Sequence, residues 1–184
     1  SPRSFTEIND SLLTDSSTIC TLGNIELAIS NSANYSGCGC DYPPNVDSTI
    51  TDNADGIVRD LHTVAQNHKS TQTWLSHLPT FLVLAFTNNE RVAIVHGDAA
   101  SLSGWGFAAD AAPSYLEAVL TSANVSAFCS SHTCLAFAQR VTNGVLFNNG
   151  AAGLPNFDDP LDRFGVITRV ADAAISTSNP QEVL

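Results

Sequence analysis

Apolar residues between positions 49 and 78 fall at Ile50, Ile57, Val58, Leu61, Val64 and Ala65, then at Trp74, Leu75 and Leu78. That spacing is close to helical and predicts one helix over residues 51–67 and a shorter one ending before Pro79. Residues 2–13 read as the tail of another helix. The runs 81–86 and 91–95 flank Thr87-Asn88-Asn89-Glu90 and predict a β-hairpin. Residues 113–123 predict a helix with Pro113 near its first turn, where a missing N–H costs nothing. Short β-branched or apolar runs at 18–22, 125–129, 145–147 and 164–170 predict strands. Residues 31–47 are Ser, Asn, Gly, Cys and Pro in near succession and predict a long loop, the kind that tends to be functional. Residues 176–184 read as a frayed tail.

The order of elements is mixed, as in an α/β protein, and several predicted strands run into loops bearing Asn or His. Asn24 follows Leu22 through a tight Gly23-Asn24 loop, His96 follows Val95, His132 comes after Cys129, and Asn149 after Phe147. In open α/β sheets ligands bind outside the carboxyl ends of the strands, where loops converge while helices cover the faces.

Composition narrows what such a site would handle. The 184 residues are 43% hydrophobic and 14% charged, the make-up of a folded chain with room for one domain, which we assign to residues 1–175. Seven Lys and Arg against 18 Asp and Glu leave a net charge of -11, which disfavours sequence-independent binding to nucleic acid or to acidic membranes. An anionic substrate would then need local positive charge, and a bound metal is the economical source. Neither a bilayer-spanning apolar run nor a signal-peptide pattern is visible, so a soluble, cytoplasmic protein is expected. The chain has no methionine and begins at Ser1-Pro2-Arg3, which reads as a processed chain or a piece of a longer one.

The candidate chemistry divides into stronger and weaker signals. His132-Thr133-Cys134 offers two metal-ligating atoms at i and i+2 after a strand, against the plainer reading of Cys134 as a small buried hydrophobe. His96 is a ligand or a hydrogen-bonded structural residue. Asn24 carries an amide oxygen suited to a hard cation. Cys38 and Cys40, beside Gly37 and Gly39, could clamp a metal, although structural zinc sites usually place two residues between cysteines. Five cysteines are too few and too odd for a disulfide scaffold. His62, His68 and His77 read as a solvated or capped helix face, and Asp158, Asp159 and Asp162 around Pro160 as a solvated turn. The triplets beginning at Asn9, Asn34 and Asn124 fit the glycosylation pattern, which without a secretory signal carries little. The run Asn149-Gly150-Ala151-Ala152-Gly153 could approach a phosphate with backbone N–H groups, though it matches no nucleotide loop.

In order along the chain, the blocks Gly23-Asn24-Ile25-Glu26, Val95-His96-Gly97-Asp98, Ser131-His132-Thr133-Cys134 and Asn148-Asn149-Gly150-Ala151-Ala152-Gly153 resemble the calcineurin-like metallophosphoesterases. The resemblance covers most of the chain from Leu22 onward and includes the Gly-Cys-Gly-Cys loop. It implies a four-layer αββα sandwich with two mixed sheets and hydrolysis of a phosphate mono- or diester at a dinuclear site. The implied cofactors are two divalent ions (Mn, Zn, Fe or Mg), and the implied partner is a small phosphate-ester substrate. Asn24, His96 and His132 would ligate one ion, and Cys134, where the family usually has histidine, the other. A thiolate there favours a softer ion such as zinc. Asn149 and Gly150 would contact substrate. Ile25 stands where many members carry the histidine that assists the leaving group, so solvent would protonate the leaving oxygen or good leaving groups would be preferred. The family's first two metal-binding blocks do not precede Asn24, which reads as a domain whose first strands are missing. The competing expectations are a non-catalytic binding or scaffold domain on the same fold, and a cysteine or serine hydrolase using Cys134 near His132, which lacks an evident nucleophile elbow.

Overall fold

The computed structural model describes residues 2–30, 36–44, 46–150 and 176–177. The chain divides into two compact units, Ser1–Pro79 and Thr80–Leu184.

The first unit is helical: α1 (Pro2–Thr14), α2 (Asn24–Ser30), α3 (Ser48–Ala65) and α4 (Lys69–Leu75). The helix expected over 51–67 begins earlier because the Asp47 carboxylate accepts the Thr49 N–H at 2.8 Å and caps α3. The unit's core gathers Ile29, Cys38, Cys40, Val58, Ala65 and Leu75, with Phe5, Ile25, Tyr42 and Trp74 packed against it. Residues 18–22, expected as a strand, form no strand; Leu22 donates its N–H to the Pro79 carbonyl at 2.8 Å. Asn24, expected in a loop, opens α2 instead. Burial also corrects one histidine: His62 is only 5% exposed, on the inner side of α3. His68 meets the Phe5 ring, and the exposed His77 donates through Nδ1 to the Thr73 carbonyl at 2.7 Å.

The second unit is α/β around a mixed sheet. Its strands are β1 (Phe81–Ala85), β2 (Arg91–Val95), β3 (Ala127–Ser130), β4 (Ala136–Val141), β5 (Gly144–Asn149) and β6 (Ser176–Thr177), with α5 (Pro113–Ala123) between β2 and β3. The order across the sheet is β4-β5-β3-β2-β1-β6. β2, β3 and β5 run parallel, while β1, β4 and β6 lie antiparallel to their neighbours. The hairpin expected over 81–95 forms with Val83 opposite Ala93, and Asn89 takes the left-handed conformation that its turn needs (φ 65°). α5 matches its expected bounds and ends at Asn124, also left-handed. β4 was not expected, although Asn143-Gly144 is a hairpin signal. Its half-buried, alternating edge pattern includes Gln139 and Arg140, which weakens the apolar run that would mark it. The strand expected over 164–170 and the 178–184 tail lie outside the described residues; Ser176 and Thr177 pair with Ala85 and Leu84.

Pairing register sorts the sheet into two faces. Val83, Ala93, Phe128 and Leu146 stand side by side across β1, β2, β3 and β5. They form the core with Phe107, Leu116 and Leu120. The neighbouring row, Leu82, Ile94, Cys129 and Phe147, faces the other way and is half-buried. Among the described residues, no helix is long and apolar enough to cross a membrane.

Candidate functional site

Because β2, β3 and β5 are adjacent and parallel, their carboxyl ends lie together at one end of the sheet. His96 follows β2 directly, His132 lies two residues beyond β3, and Asn149 closes β5. The His96 carbonyl accepts the backbone N–H groups of Ser131 (3.1 Å) and His132 (2.9 Å), so the β3 loop is fastened to the end of β2. This brings His132 Nδ1 to 3.2 Å from His96 Nε2, with ring centroids 5.1 Å apart and planes at 65°. His132 is 7% exposed, and Trp105 stands edge-on to its ring at 5.5 Å. Burial, reinforced by repulsion from His132, lowers the His96 pKa from 6.5 to about 4, so its imidazole is neutral at physiological pH.

The loop after β2 is built on Asp98. Its Oδ1 accepts the N–H groups of Ala100 (2.9 Å) and Ser101 (2.8 Å), and its Oδ2 that of Gly106 (3.0 Å). A Cβ on Gly97 would collide with the Ser101 and Leu102 carbonyls, and one on Gly104 with the Asp98 carboxylate, so glycine is required at both. The loop thereby carries Trp105 to His132. In the sequence Asp98 stands only within the Val95-His96-Gly97-Asp98 block and Trp105 in no motif; the Asp followed by small residues and glycines is the signal for this loop.

Behind the histidines lies a buried polar chain. Asn148, 2% exposed, donates to Ser130 Oγ (3.2 Å) and Thr133 Oγ1 (3.0 Å) and accepts the Gly150 N–H (2.9 Å). Gly150 has φ 72°, which favours glycine there. Asn149, with its amide nitrogen facing the strand ends, donates to the Ser130 carbonyl (3.1 Å) and Ser131 Oγ (3.2 Å). Cys134, also left-handed (φ 64°), directs its Sγ to the His132 carbonyl at 3.3 Å, and burial pushes its thiol pKa up.

Of the expected ligands, His96 and His132 are thus brought together and Cys134 is tied to His132 through the backbone. Asn24 belongs to the first unit. There its Nδ2 donates to the Cys38 carbonyl (3.0 Å) and reaches Cys40 Sγ (3.5 Å). Ile25 packs on that unit's core. Among the described residues, no three side chains of His, Cys, Asp or Glu form a ready metal cluster. The histidine pair nevertheless suits a cation: donors on one ion with metal–nitrogen bonds of about 2.0–2.1 Å sit roughly 3 Å apart. The same 3.2 Å separation suits one ring donating an N–H to the other.

These features define an α/β unit with a mixed sheet and a polar, histidine-bearing cluster at the carboxyl ends of its parallel strands. The chain is similar to the hypothetical protein PH1004 from Pyrococcus horikoshii OT3, with a TM-score of 0.58 and 16% identity. The match covers 84% of this chain and 59% of that protein, so the chain spans less than two thirds of its length. At that identity the likeness concerns the fold alone. No family model matches the chain, and no curated protein matches it.

Proposed function

We propose that the protein is a metal-dependent phosphoesterase of the calcineurin-like type, hydrolysing a small phosphate mono- or diester in the cytoplasm. The observation that carries this reading is the pairing of His96 and His132 at 3.2 Å where three parallel strands end. A neutral His96 keeps a nitrogen lone pair at physiological pH, which ligation requires. His96 and His132 would hold one divalent ion, with Cys134 serving the second. When bound, such ions supply Lewis-acid charge and an activated water.

The chain's own residues do the rest. The His96 carbonyl locks the His132 loop in place, and Trp105 walls the pair on one side. Asn148 accepts the Gly150 N–H and the Asn149 amide donates to Ser130 and Ser131, so Asn149 and Gly150 would meet the phosphate by exchanging these internal bonds for bonds to its oxygens. Local cation charge would offset the repulsion that a net charge of -11 imposes on an anionic substrate. The half-buried row Leu82, Ile94, Cys129 and Phe147 suits the second sheet of a two-sheet sandwich, since such a layer would bury it.

The reading is tested by measuring metal content and phosphodiester turnover of the full-length protein supplied with Mn or Zn. Bound metal with turnover supports the enzyme. Metal without turnover of any mono- or diester favours a binding domain on the same scaffold, and neither metal nor turnover rules out the proposed centre.

A further inference from the structure

Cys38 and Cys40 are joined in a disulfide, whereas Cys20, Cys129 and Cys134 are free thiols. The pair is buried, at 6% and 9% exposure, in the core of the helical unit rather than at its surface. Gly37 and Gly39 take left-handed conformations (φ 97° and 61°), which lets the chain turn tightly enough to bring the sulfurs together. Two polar side chains from elsewhere hold this loop. Asp55 Oδ1 accepts the Cys38 N–H at 2.7 Å, and Asn24 Nδ2 donates to the Cys38 carbonyl at 3.0 Å while reaching Cys40 Sγ at 3.5 Å.

A cross-link stabilises a fold chiefly by restricting the unfolded chain, and the effect shrinks with the length of the loop it closes. Here the bridge encloses a single residue, Gly39, so stabilisation is a weak reason for it. The alternative use of two adjacent cysteines is to store electrons, the usual role of disulfides in reducing compartments.

We propose that Cys38 and Cys40 form a reversible two-electron thiol/disulfide couple whose state sets the orientation of the Asn24 amide. An external thiolate attacks one sulfur and the S–S bond breaks. The leaving cysteine takes a proton. A second external thiolate then displaces the first, releasing the other cysteine, which is protonated in turn. The products are two cysteine thiols and one external disulfide. Once the bridge opens, the carbonyl and sulfur that now fix the Asn24 amide separate.

The test equilibrates the full-length protein in graded ratios of reduced to oxidised glutathione, quenches in acid, then alkylates the unfolded chain and maps the labels by mass. Cys38 and Cys40 are expected to gain and lose their labels together in one transition, with Cys20, Cys129 and Cys134 labelled throughout. Labels on Cys38 and Cys40 at every ratio, protection of both even in excess dithiothreitol, or glutathione retained on one of them would each overturn the couple. Asp55→Ala and Asn24→Ala, checked for folding by thermal melting, should each move the midpoint about fivefold toward the thiol form, roughly one hydrogen bond's worth. Unmoved midpoints in both would overturn their role in closing the bridge.

Discussion

The two ends of the parallel strands are fastened by similar backbone bonds but carry different side-chain chemistry. At the amino end Ser126 donates its N–H (2.8 Å) and hydroxyl (3.0 Å) to the Arg91 carbonyl, and Val145 donates to the Ser126 carbonyl (3.1 Å). At the carboxyl end the His96 carbonyl collects the N–H groups of Ser131 and His132 in the same way. Yet among the described residues it is the carboxyl end that buries a run of polar side chains: Ser130, His132, Thr133 and Asn148. Strand register does not need them, because the amino end sets register with backbone bonds and one hydroxyl. Desolvating polar groups costs free energy unless each is paired, and here Asn148 pairs with Ser130 and Thr133 while His132 pairs with His96; this is the end that the proposed function would use.

The largest effect is expected from His132→Ala, which should lower metal affinity and phosphodiester turnover by at least about a hundredfold, the upper range for a supporting residue near a metal. Calorimetric metal titration and turnover assays would check it, with melting temperature recorded to exclude unfolding.

Next in size is a pH effect that belongs to the carboxyl end. His96 has a folded pKa of about 4, against 6.5 for the ordinary side chain, so between those values the unfolded chain binds the extra proton. Stability from this group is therefore full above pH 6.5 and is lost as pH falls toward 4, by about 2–3 kcal/mol. Urea denaturation of the wild type and His96→Gln across this window should show the slope in the former and its loss in the latter.

Asn148→Ala removes the donor to Ser130 and Thr133 and the acceptor for Gly150, and should cost about 1–3 kcal/mol by denaturant melting. The smallest effect is expected at the opposite end. Ser126→Ala keeps the backbone bonds and should cost about 0.5–1.5 kcal/mol while leaving metal affinity unchanged.

How much of this was legible in the sequence follows from how local each cause is. The 81–95 hairpin and α5 rest on turn residues, apolar periodicity and a proline at the helix start, all readable within a short window. His96 and His132 were legible as residues just past strands, since strand ends are local signals too; their 3.2 Å approach was not, because it depends on β2 and β3 lying side by side and on one carbonyl taking two N–H groups. β4 was missed although Asn143-Gly144 announced it, because an edge strand needs only half-buried alternation. Residues 18–22 have strand composition but no ladder partner, and composition cannot supply one. Asn24 illustrates the same limit: its hydrogen-bond partners Cys38 and Cys40 lie 14 and 16 positions away, across a loop whose course no periodicity describes.

The proposed function requires the histidine pair to be a metal site. The most direct measurement is divalent-metal binding by the full-length protein and its His96→Ala and His132→Ala variants, followed calorimetrically with Mn and Zn. Stoichiometric binding by the wild type that both substitutions abolish, with the fold intact by circular dichroism, is the predicted result. Equal binding in all three proteins, or none in the wild type, would contradict it and leave the pair as a buried imidazole hydrogen bond at the strand ends.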